Sequence, residues 1–343
     1  MNRLHCGIDL GTRSSAICIK NEQREIVYEW QGKNGEMLTH LKYYTSIGEV
    51  HCLVEAAPLA ETICDAVEKM GGRIEIVDSN AIKGIVHRMK KTDKNDARAL
   101  ADLSALGIYT AVHRKTGESR ELRSMLKIRC GILKSATGTK NNIRGILKAN
   151  GIVLNSSLSG TKFVEAVKEG AKYLSPILRY SIIESLRVWI RLEKTKNNLT
   201  KQLRKIAKKD AVAKRLMTHP GVGPSIAICF LCTIENPERF QDKKQVGSYF
   251  GLAPSVNQSG EREHRGSITK QGDKMFRWLA IEGAGVILSS RCKKNFRLRE
   301  WGLRLAEKKC HNVAKVAVAR KLTETLWSMW KEGTTFNGYI DNQ

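Results

Sequence analysis

Four carboxylates in the first hundred residues have the types and spacing of a metal-dependent catalytic centre. Asp9 lies in GIDLGTRSSAICI and Glu55 in HCLVEAAP, at or near the ends of apolar runs that are typical of strands. Asp93 and Asp96 lie in KKTDKNDARAL, where a spacing of three puts them on one face of a helix start. Carboxylate oxygens bind hard divalent cations, so a fold that brought all four together would form a nuclease-type centre.

The apolar surroundings of two of these acids favour a metal site over surface decoration. Asp9 lies in an otherwise apolar strand, and Glu55 is followed by Ala-Ala-Pro. A buried, unpaired carboxylate is costly, so each needs a metal, a cation or a hydrogen-bond network. The alternative for the helical pair is a solvated helix start that is capped by Thr92 or Asp93.

A second group of reactive side chains surrounds Ser259 in VNQSGEREHRGSITKQGDKMFRWL. A serine hydroxyl is a weak nucleophile unless a base removes its proton or cations stabilise the charge that develops. The same cations could hold the oxygens of a phosphodiester. The candidates for phosphate contacts or proton transfer are Arg262, His264, Arg265, Lys270 and Arg277. The alternative is an ordinary serine in a Gly-flanked turn, with Ser255 and Ser267 close by.

Glycines and cysteines near the start of the C-terminal region suggest two further features. In LMTHPGVGPSIAICFLCTI, Gly221 and Gly223 lie between two apolar helical stretches, as in a helix-hairpin-helix unit whose backbone N–H groups contact phosphate. A glycine turn between two packed helices would have the same pattern. Cys229 and Cys232 form a CxxC without a second ligand pair at zinc spacing, which favours core packing.

The elements that must position the acids follow a βββαβαβ order. Strand patterns cover residues 4–10, 15–20, 25–30, 50–55 and 73–78, and helical patterns cover 34–47, 58–70 and a stretch from 93. This order matches an α/β ribonuclease-H-like (RuvC-like) domain, in which the first and fourth strands are neighbours. Asp9 and Glu55 could then share one cation.

The rest of the chain has helical periodicity, and we expect three domains. The predicted divisions are a RuvC-like domain at 1–106, a basic helical linker or coiled coil at 107–215 and a mainly α-helical C-terminal domain at 216–343. Long helices are expected at 117–149 and 163–210, where Leu, Ile and Val recur among many Lys and Arg.

Charge identifies the polymer on which such a centre would act. The chain has 59 Lys+Arg against 34 Asp+Glu, a formal charge of +25. Residues 1–106 hold 14 Lys+Arg and 15 Asp+Glu, which leaves 45 Lys+Arg and 19 Asp+Glu for the remainder. A polyanionic partner is expected, and nucleic acid is favoured over a membrane because no apolar run approaches about 18 residues. No signal-peptide pattern is present, so we expect a cytoplasmic protein. Its nine irregularly spaced cysteines are expected to be reduced thiols. With nucleic acid as its partner, we expect the protein to act at the nucleoid.

GIDLGTRSSA also resembles the first phosphate-binding turn of the actin, chaperone and sugar-kinase ATPases. Those proteins share the ribonuclease H core, so part of the likeness is structural. An ATPase of that kind should carry a second DxG turn and a Gly-rich adenosine motif, and neither is obvious here.

Taken together and in order, the motifs GIDLGTRSSA, VEAAP, KTDKNDARALADL, HPGVGPSIA and SYFGLAPSVNQSGEREHRGSITKQGDKMFRWL resemble the DEDD transposases of the insertion-sequence-110 family, which includes the 1111 group. The resemblance covers nearly the whole chain. It implies that Asp9, Glu55, Asp93 and Asp96 bind Mg²⁺, with Mn²⁺ as an alternative. It also implies that Ser259 attacks DNA to form a covalent phosphoserine link.

The resemblance further implies partners for the protein. These are donor and target DNA, a structured noncoding bridge RNA that selects both, and other copies of the chain in a dimer or tetramer whose subunits share the composite site. Two other functions remain open at this point. One is a RuvC-like junction endonuclease that hydrolyses DNA with water, and the other is a nucleic-acid-binding protein without catalysis.

Overall fold

The computed structural model describes residues 3–78, 92–259, 262–290 and 292–338, with the backbone alone described for 256–259 and 262–265. The chain divides into two units, Met1–Arg114 and Lys115–Gln343. The first unit holds 15 Lys+Arg and 15 Asp+Glu, and the second holds 44 and 19. The whole formal charge of +25 therefore belongs to the second unit.

A mixed sheet forms the centre of the first unit. Its strands are β1 (Arg3–Leu10), β2 (Ser14–Lys20), β3 (Ile26–Lys33), β4 (Glu49–Glu55) and β5 (Arg73–Val77). They lie in the order β3-β2-β1-β4-β5, with β1 antiparallel to β2 and parallel to β4. This order confirms the predicted ribonuclease-H-like fold, because the first and fourth strands are neighbours.

Helices cover both faces of this sheet. They are α1 (Asn34–Ile47), α2 (Ala60–Lys69) and α3 (Asp93–Leu106). Leu41 of α1 and Val67 of α2 pack in one buried cluster with Ile8 of β1. On the opposite face, Cys18 of β2 packs with Ala101 of α3. Alternate residues of each strand therefore serve different helices, as the period of two along a strand requires.

The closest approach between helix and sheet is at Gly7 of β1. A Cβ atom at this position would lie 2.0 Å from the carbonyl oxygen of Ala97 and 2.5 Å from the amide nitrogen of Ala101. Neither atom belongs to a side chain that could rotate away. Helix α3 can rest on β1 at this distance because residue 7 has no side chain.

The second unit is mainly helical. Its helices are α4 (Gly117–Ala149), α5 (Gly160–Ala171), α6 (Pro176–Lys209), α7 (Ala211–Leu216), α8 (Pro224–Ile234), α9 (Lys243–Tyr249), α10 (Lys274–Leu288), α11 (Arg297–Lys308) and α12 (His311–Lys331). A hairpin of β6 (Pro254–Ser259) and β7 (Arg262–Ile268) interrupts them. The two strands of this hairpin were not predicted, although a serine in a Gly-flanked turn was one of the two interpretations of Ser259.

The long basic helices share a core with the C-terminal helices. Leu126 of α4 and Leu203 of α6 belong to the same buried cluster as Phe230 of α8 and Phe276 of α10. The core is therefore continuous across residues 215 and 216, where we predicted a domain boundary. The distal parts of α4 and α6 pack with α5 in a separate cluster around Phe163.

An ion pair with little solvent exposure ties three of these helices together. The Arg123 side chain of α4 pairs with Asp273 and donates from Nη1 to Thr233 Oγ1 of α8 over 2.6 Å. Asp273 also caps α10 by accepting a hydrogen bond from the Phe276 amide at 2.6 Å. One carboxylate thus satisfies a helix end and a buried guanidinium at once.

The predicted single helix at 163–210 is wrong, because the structure has two helices there. Helix α5 ends at Ala171, and α6 begins with Pro176 in its first turn. Proline lacks the N–H that a continuing helix needs but fits a first turn, and the Ser175 hydroxyl caps that turn by accepting from the Leu178 amide. Among the described residues, no helix is both long and apolar enough to cross a bilayer.

The contact at Gly7 gives a test of how α3 is held. Gly7→Ala should lower the free energy of unfolding by about 3 kcal/mol, because the new methyl group overlaps backbone atoms of α3. Gly35→Ala is the matched control, since a Cβ there has no atom within 4 Å. Urea denaturation of both variants measures the difference. Equal stabilities would contradict the close packing of α3 on β1.

Candidate active site

The sheet register brings Asp9 and Glu55 side by side. Ile8 of β1 is paired with Val54 of β4 in parallel, so the next residues, Asp9 and Glu55, stand at one level on adjacent strands. Neighbouring strands are about 4.8 Å apart, and residues at one level point to the same face. Both side chains are partly exposed. The predicted neighbourhood of these two acids therefore exists in the structure.

Helix α3 lies antiparallel to β1 on that same face. Near the start of β1, His5 Nδ1 lies 3.1 Å from Ser104 Oγ in the last turn of α3. Gly7 lies against Ala97 and Ala101. Asp9 lies two residues further along β1 and on the same face as Gly7. Because α3 runs antiparallel to β1, the part of the helix nearest to Asp9 is its first turn. That turn carries Asp93 and Asp96.

Asp93 is directed toward the edge of the sheet rather than toward Glu55. Thr92 Oγ1 caps α3 by accepting from the Asn95 amide, so Asp93 is not needed as the cap. Its Oδ2 instead accepts a hydrogen bond of 3.1 Å from Gln31 Nε2. Gln31 is on β3, three strands away from Glu55 on β4.

The four acids therefore share a face without closing on one point. Among the described residues, no three His, Cys, Asp or Glu side chains form a group that could hold a metal ion. We expected the fold to bring all four acids to one cation. The structure places them on the same face of the sheet, but among the described residues it does not group them around one point.

Asp96 provides the observation that fits a cation at this face. Its Oδ1 is buried and has no hydrogen-bond partner. A buried carboxylate oxygen without a partner costs free energy that a bound cation would recover. The donor set is all oxygen, which suits Mg²⁺ or Mn²⁺ better than softer metals.

Two ion pairs that the sequence did not reveal hold α3 in place. Lys20 Nζ at the end of β2 contacts Asp102 Oδ1 at 2.6 Å. The Arg98 guanidinium donates to both carboxylate oxygens of Glu29 on β3, with Nη2 at 2.7 Å from Oε2. These hydrogen bonds hold the pKa of Glu29 below its usual value. The available sequence signal was a charged residue within each of two neighbouring strands.

Ser259 is the last residue of β6. The backbone register pairs Ser259 with Arg262 and Asn257 with His264. Cross-strand partners lie on one face of a hairpin, so Ser259, Arg262 and His264 share a face, whereas Arg265 belongs to the other. Side-chain positions at 256–265 lie outside what the structure describes.

The remaining basic candidates lie at the base of this hairpin. Arg277 Nη1 donates to the backbone oxygens of Phe250 and Gln271 at 2.9 and 3.2 Å. This side chain therefore fastens the two ends of the hairpin segment to α10. Lys270 is exposed and has a positive φ of 57°.

The two predicted phosphate-binding glycines have different surroundings. Gly221 has φ +82°, and a Cβ there would lie 2.6 Å from the carbonyl oxygen of Gly283 in α10. Helix packing thus accounts for Gly221. Gly223 begins α8 with open space beside it, so its phosphate contact stays a prediction. The CxxC cysteines, Cys229 and Cys232, are buried free thiols in the core, as we predicted.

Comparisons with known proteins agree on one family. A family model for DEDD transposases of the IS110 type matches residues 6–150, and the Transposase IS116/IS110/IS902 family matches residues 213–299. The four acids lie within the first match and Ser259 within the second.

Full-length relatives are also found. The chain is 25% identical over 335 residues to the transposase for insertion sequence element IS1111A of Coxiella burnetii, covering 96% of this chain and 90% of that protein. It is 23% identical over 341 residues to a probable family 20 transposase of Pseudomonas aeruginosa, covering 98% and 99%. It is 22% identical over 338 residues to the transposase for element IS1328 of Yersinia enterocolitica, covering 96% and 98%.

His219, beside the Gly221 turn, gives a test of pH dependence. Burial lowers the pKa of this histidine from 6.5 to about 4. Between pH 6.5 and 4, His219 is therefore protonated in the unfolded chain but neutral in the folded protein. The free energy of unfolding should fall as the pH drops from about 6.5 to 4. The loss at pH 4 should be about 3 kcal/mol.

Urea denaturation across this pH range measures the effect. His219→Phe should flatten the decline relative to wild type, whereas His311→Gln, at an exposed histidine, should leave it unchanged. An unaltered pH profile in His219→Phe would show that other groups cause the decline.

Proposed function

This chain belongs to the insertion-sequence-110 family of DEDD transposases, and from that premise we propose that it cuts and rejoins DNA through a covalent phosphoserine link at Ser259. It is a transposase, an enzyme that acts on DNA. We further propose that Asp9, Glu55, Asp93 and Asp96 hold the divalent cation that assists this reaction. The buried, unpartnered Oδ1 of Asp96, on the helix that covers the sheet face of Asp9 and Glu55, is the observation that carries the proposal.

The acids would serve the reaction by holding a hard cation. Asp9 and Glu55 supply neighbouring carboxylates from the sheet, and Asp96 supplies an oxygen from α3. Asp93 would join them only after its side chain leaves Gln31. When bound, Mg²⁺ would polarise a phosphoryl oxygen and stabilise the negative charge of the transition state.

Ser259 would be the nucleophile in a transesterification. A bond forms between its Oγ and phosphorus while one bridging P–O bond of the DNA breaks, and the deoxyribose hydroxyl leaves. In the second step, a hydroxyl of another strand attacks the same phosphorus and releases the serine. The covalent link conserves the free energy of the phosphodiester bond, so rejoining the DNA needs no external energy source such as ATP.

Two residues on the Ser259 face are suited to assist it. His264 is our candidate for removing the serine proton, and Arg262 for binding the nonbridging oxygens. Arg265 belongs to the other hairpin face, which favours a contact with nucleic acid away from the reacting phosphate. Arg277 would act by holding the hairpin base, and Lys270 by contacting phosphate from its exposed position.

The charge distribution supports nucleic-acid partners beyond the reacting DNA. A formal charge of +25 in Lys115–Gln343 can neutralise many phosphates. We propose that the second unit binds a structured guide RNA encoded by the element as well as donor and target DNA. Recognition by base pairing would then place target choice in the RNA. We also propose that the protein works at the nucleoid as a dimer or tetramer.

The serine mechanism predicts a protein–DNA adduct. Wild-type protein incubated with donor and target DNA, guide RNA and Mg²⁺ should retain labelled DNA after denaturation, because the link is covalent. Ser259→Ala should lose the adduct and at least 99% of strand exchange, a fall of about 10²-fold or more. Gel electrophoresis under denaturing conditions measures both.

Controls separate the serine from its neighbours. Ser255→Ala and Ser267→Ala should keep the adduct, and omission of the RNA should abolish exchange on the matched target. Equal products from wild type and Ser259→Ala without any adduct would instead establish hydrolysis by water, as in a junction endonuclease.

The acid face predicts cation-dependent stability. At a Mg²⁺ or Mn²⁺ concentration ten times the dissociation constant, the folded protein should gain about 1.4 kcal/mol. Asp96→Asn should lose this gain while its stability in EDTA stays within about 1 kcal/mol of wild type, because an oxygen without a partner is removed.

Differential scanning calorimetry with and without the cation measures this gain. Glu36→Gln, at an exposed acid in the first turn of α1, is the matched control and should keep the gain. If Asp96→Asn keeps the gain as well, the cation does not bind at the acid face.

A further inference from the structure

A cavity lies between the base of the β6–β7 hairpin and the last two helices. Its volume is about 650 Å³. Its walls are mostly apolar, and they include Leu252, Pro254, Ile268, Trp301 and Val316. None of the proposed catalytic residues lines it. A cavity of this size is typical of a site for a small organic group.

The polar groups of the cavity are few and placed at its border. Asn312 at the start of α12 has a side-chain amide, whose NH₂ group can donate hydrogen bonds and whose carbonyl oxygen can accept them. The buried Glu324 carboxylate contacts Arg320 Nε at 3.0 Å and Lys321 Nζ at 2.9 Å, which fixes two cations of the lining. The border therefore combines hydrogen-bonding groups with positive charge.

Helix α11 carries a basic stripe centred on the aromatic residue of this cavity. Arg297, Trp301, Arg304 and Lys308 follow a spacing of four, three and four residues and therefore lie on one helix face. All four are exposed, and Trp301 exposes 38% of its surface despite its size. Between residues 297 and 321 the chain has eight Lys+Arg and two Glu.

An apolar cavity, an aromatic side chain and a row of cations together match one class of ligand. Nucleobases stack on aromatic rings, and cations beside the ring contact the phosphates that join the bases. An amide can bond the edge of a base. An apolar protein segment would fit the walls but not the surrounding positive charge.

We infer that this cavity binds one unstacked base of a single-stranded nucleic-acid segment, with Trp301 against the base and the α11 stripe along its phosphates. The inference rests on the proposed function only in that a nucleic acid is the partner. It adds a site for unpaired strand beside the hairpin that carries Ser259, which suits an enzyme whose DNA must open before strands are exchanged.

The test uses binding without chemistry. Short oligothymidylate and oligouridylate probes, each with one central 2-aminopurine, are mixed with the full-length protein in EDTA. Wild-type protein should quench the 2-aminopurine emission by stacking. Trp301→Ala should bind about tenfold more weakly and lose the quenching, and Trp301→Phe should keep most of both. The probe with the tighter binding identifies DNA or RNA as the source of the strand.

A second variant tests the cavity rather than the ring. Ala317→Phe places a large side chain in the cavity lining and should abolish quenching while Trp301 remains. Tyr173→Ala and Lys168→Ala are matched controls, because both residues are exposed and belong to the distal helical region. They should retain wild-type quenching. Circular dichroism and thermal unfolding establish that each variant is folded.

Two outcomes would overturn the inference. One is wild-type quenching in folded Trp301→Ala and Ala317→Phe. The other is a change of oligomeric state in Ala317→Phe with unaltered quenching, which would make the cavity an interface between copies. Because no strand is cut in EDTA, these outcomes are distinct from failure of Ser259→Ala to abolish the covalent adduct.

Discussion

The architecture of the first unit depends on how closely α3 approaches β1. At Gly7 the helix lies against the strand backbone, with no room for even one methyl group. Small residues on both sides, such as Cys18 and Ala101, keep this distance along the contact. The approach brings the first turn of α3 to the level of Asp9. A larger residue at position 7 would raise the helix, and the carboxylates would separate.

The two faces of the sheet are packed differently. The face under α1 and α2 packs large aliphatic side chains such as Leu41 and Ile8, whose burial supplies most of the hydrophobic stabilisation. The face under α3 has small residues such as Cys18 at β2, large aliphatic residues such as Leu53 and Leu100 at β4, two ion pairs and the acids. Lys20–Asp102 and Arg98–Glu29 join α3 to β2 and β3. The charged side chains within these strands therefore position α3.

The sequence predicts the sheet well because its strands depend on local patterns. Alternating apolar runs gave the strands, and an acid within such a run marked Asp9. The break before Pro176 was missed because apolar spacing continues on both sides of it. The orientation of Asp93 toward Gln31 depends on a contact between residues 62 apart, which no local pattern contains. The two strands that flank the turn at Ser259 were not predicted, because they are rich in polar residues.

The separation of charge between the two units has a kinetic consequence. Long-range attraction for DNA belongs to Lys115–Gln343, since Met1–Arg114 has no net charge. Diffusional encounter should therefore be governed by the helical unit, and its rate should depend on ionic strength through a screening length of about 8 Å in physiological salt. Met1–Arg114, whose formal charges balance, adds little attraction or repulsion. Capture of the polyanion therefore depends on the unit that carries Ser259, and the acids of Met1–Arg114 need not attract a strand themselves.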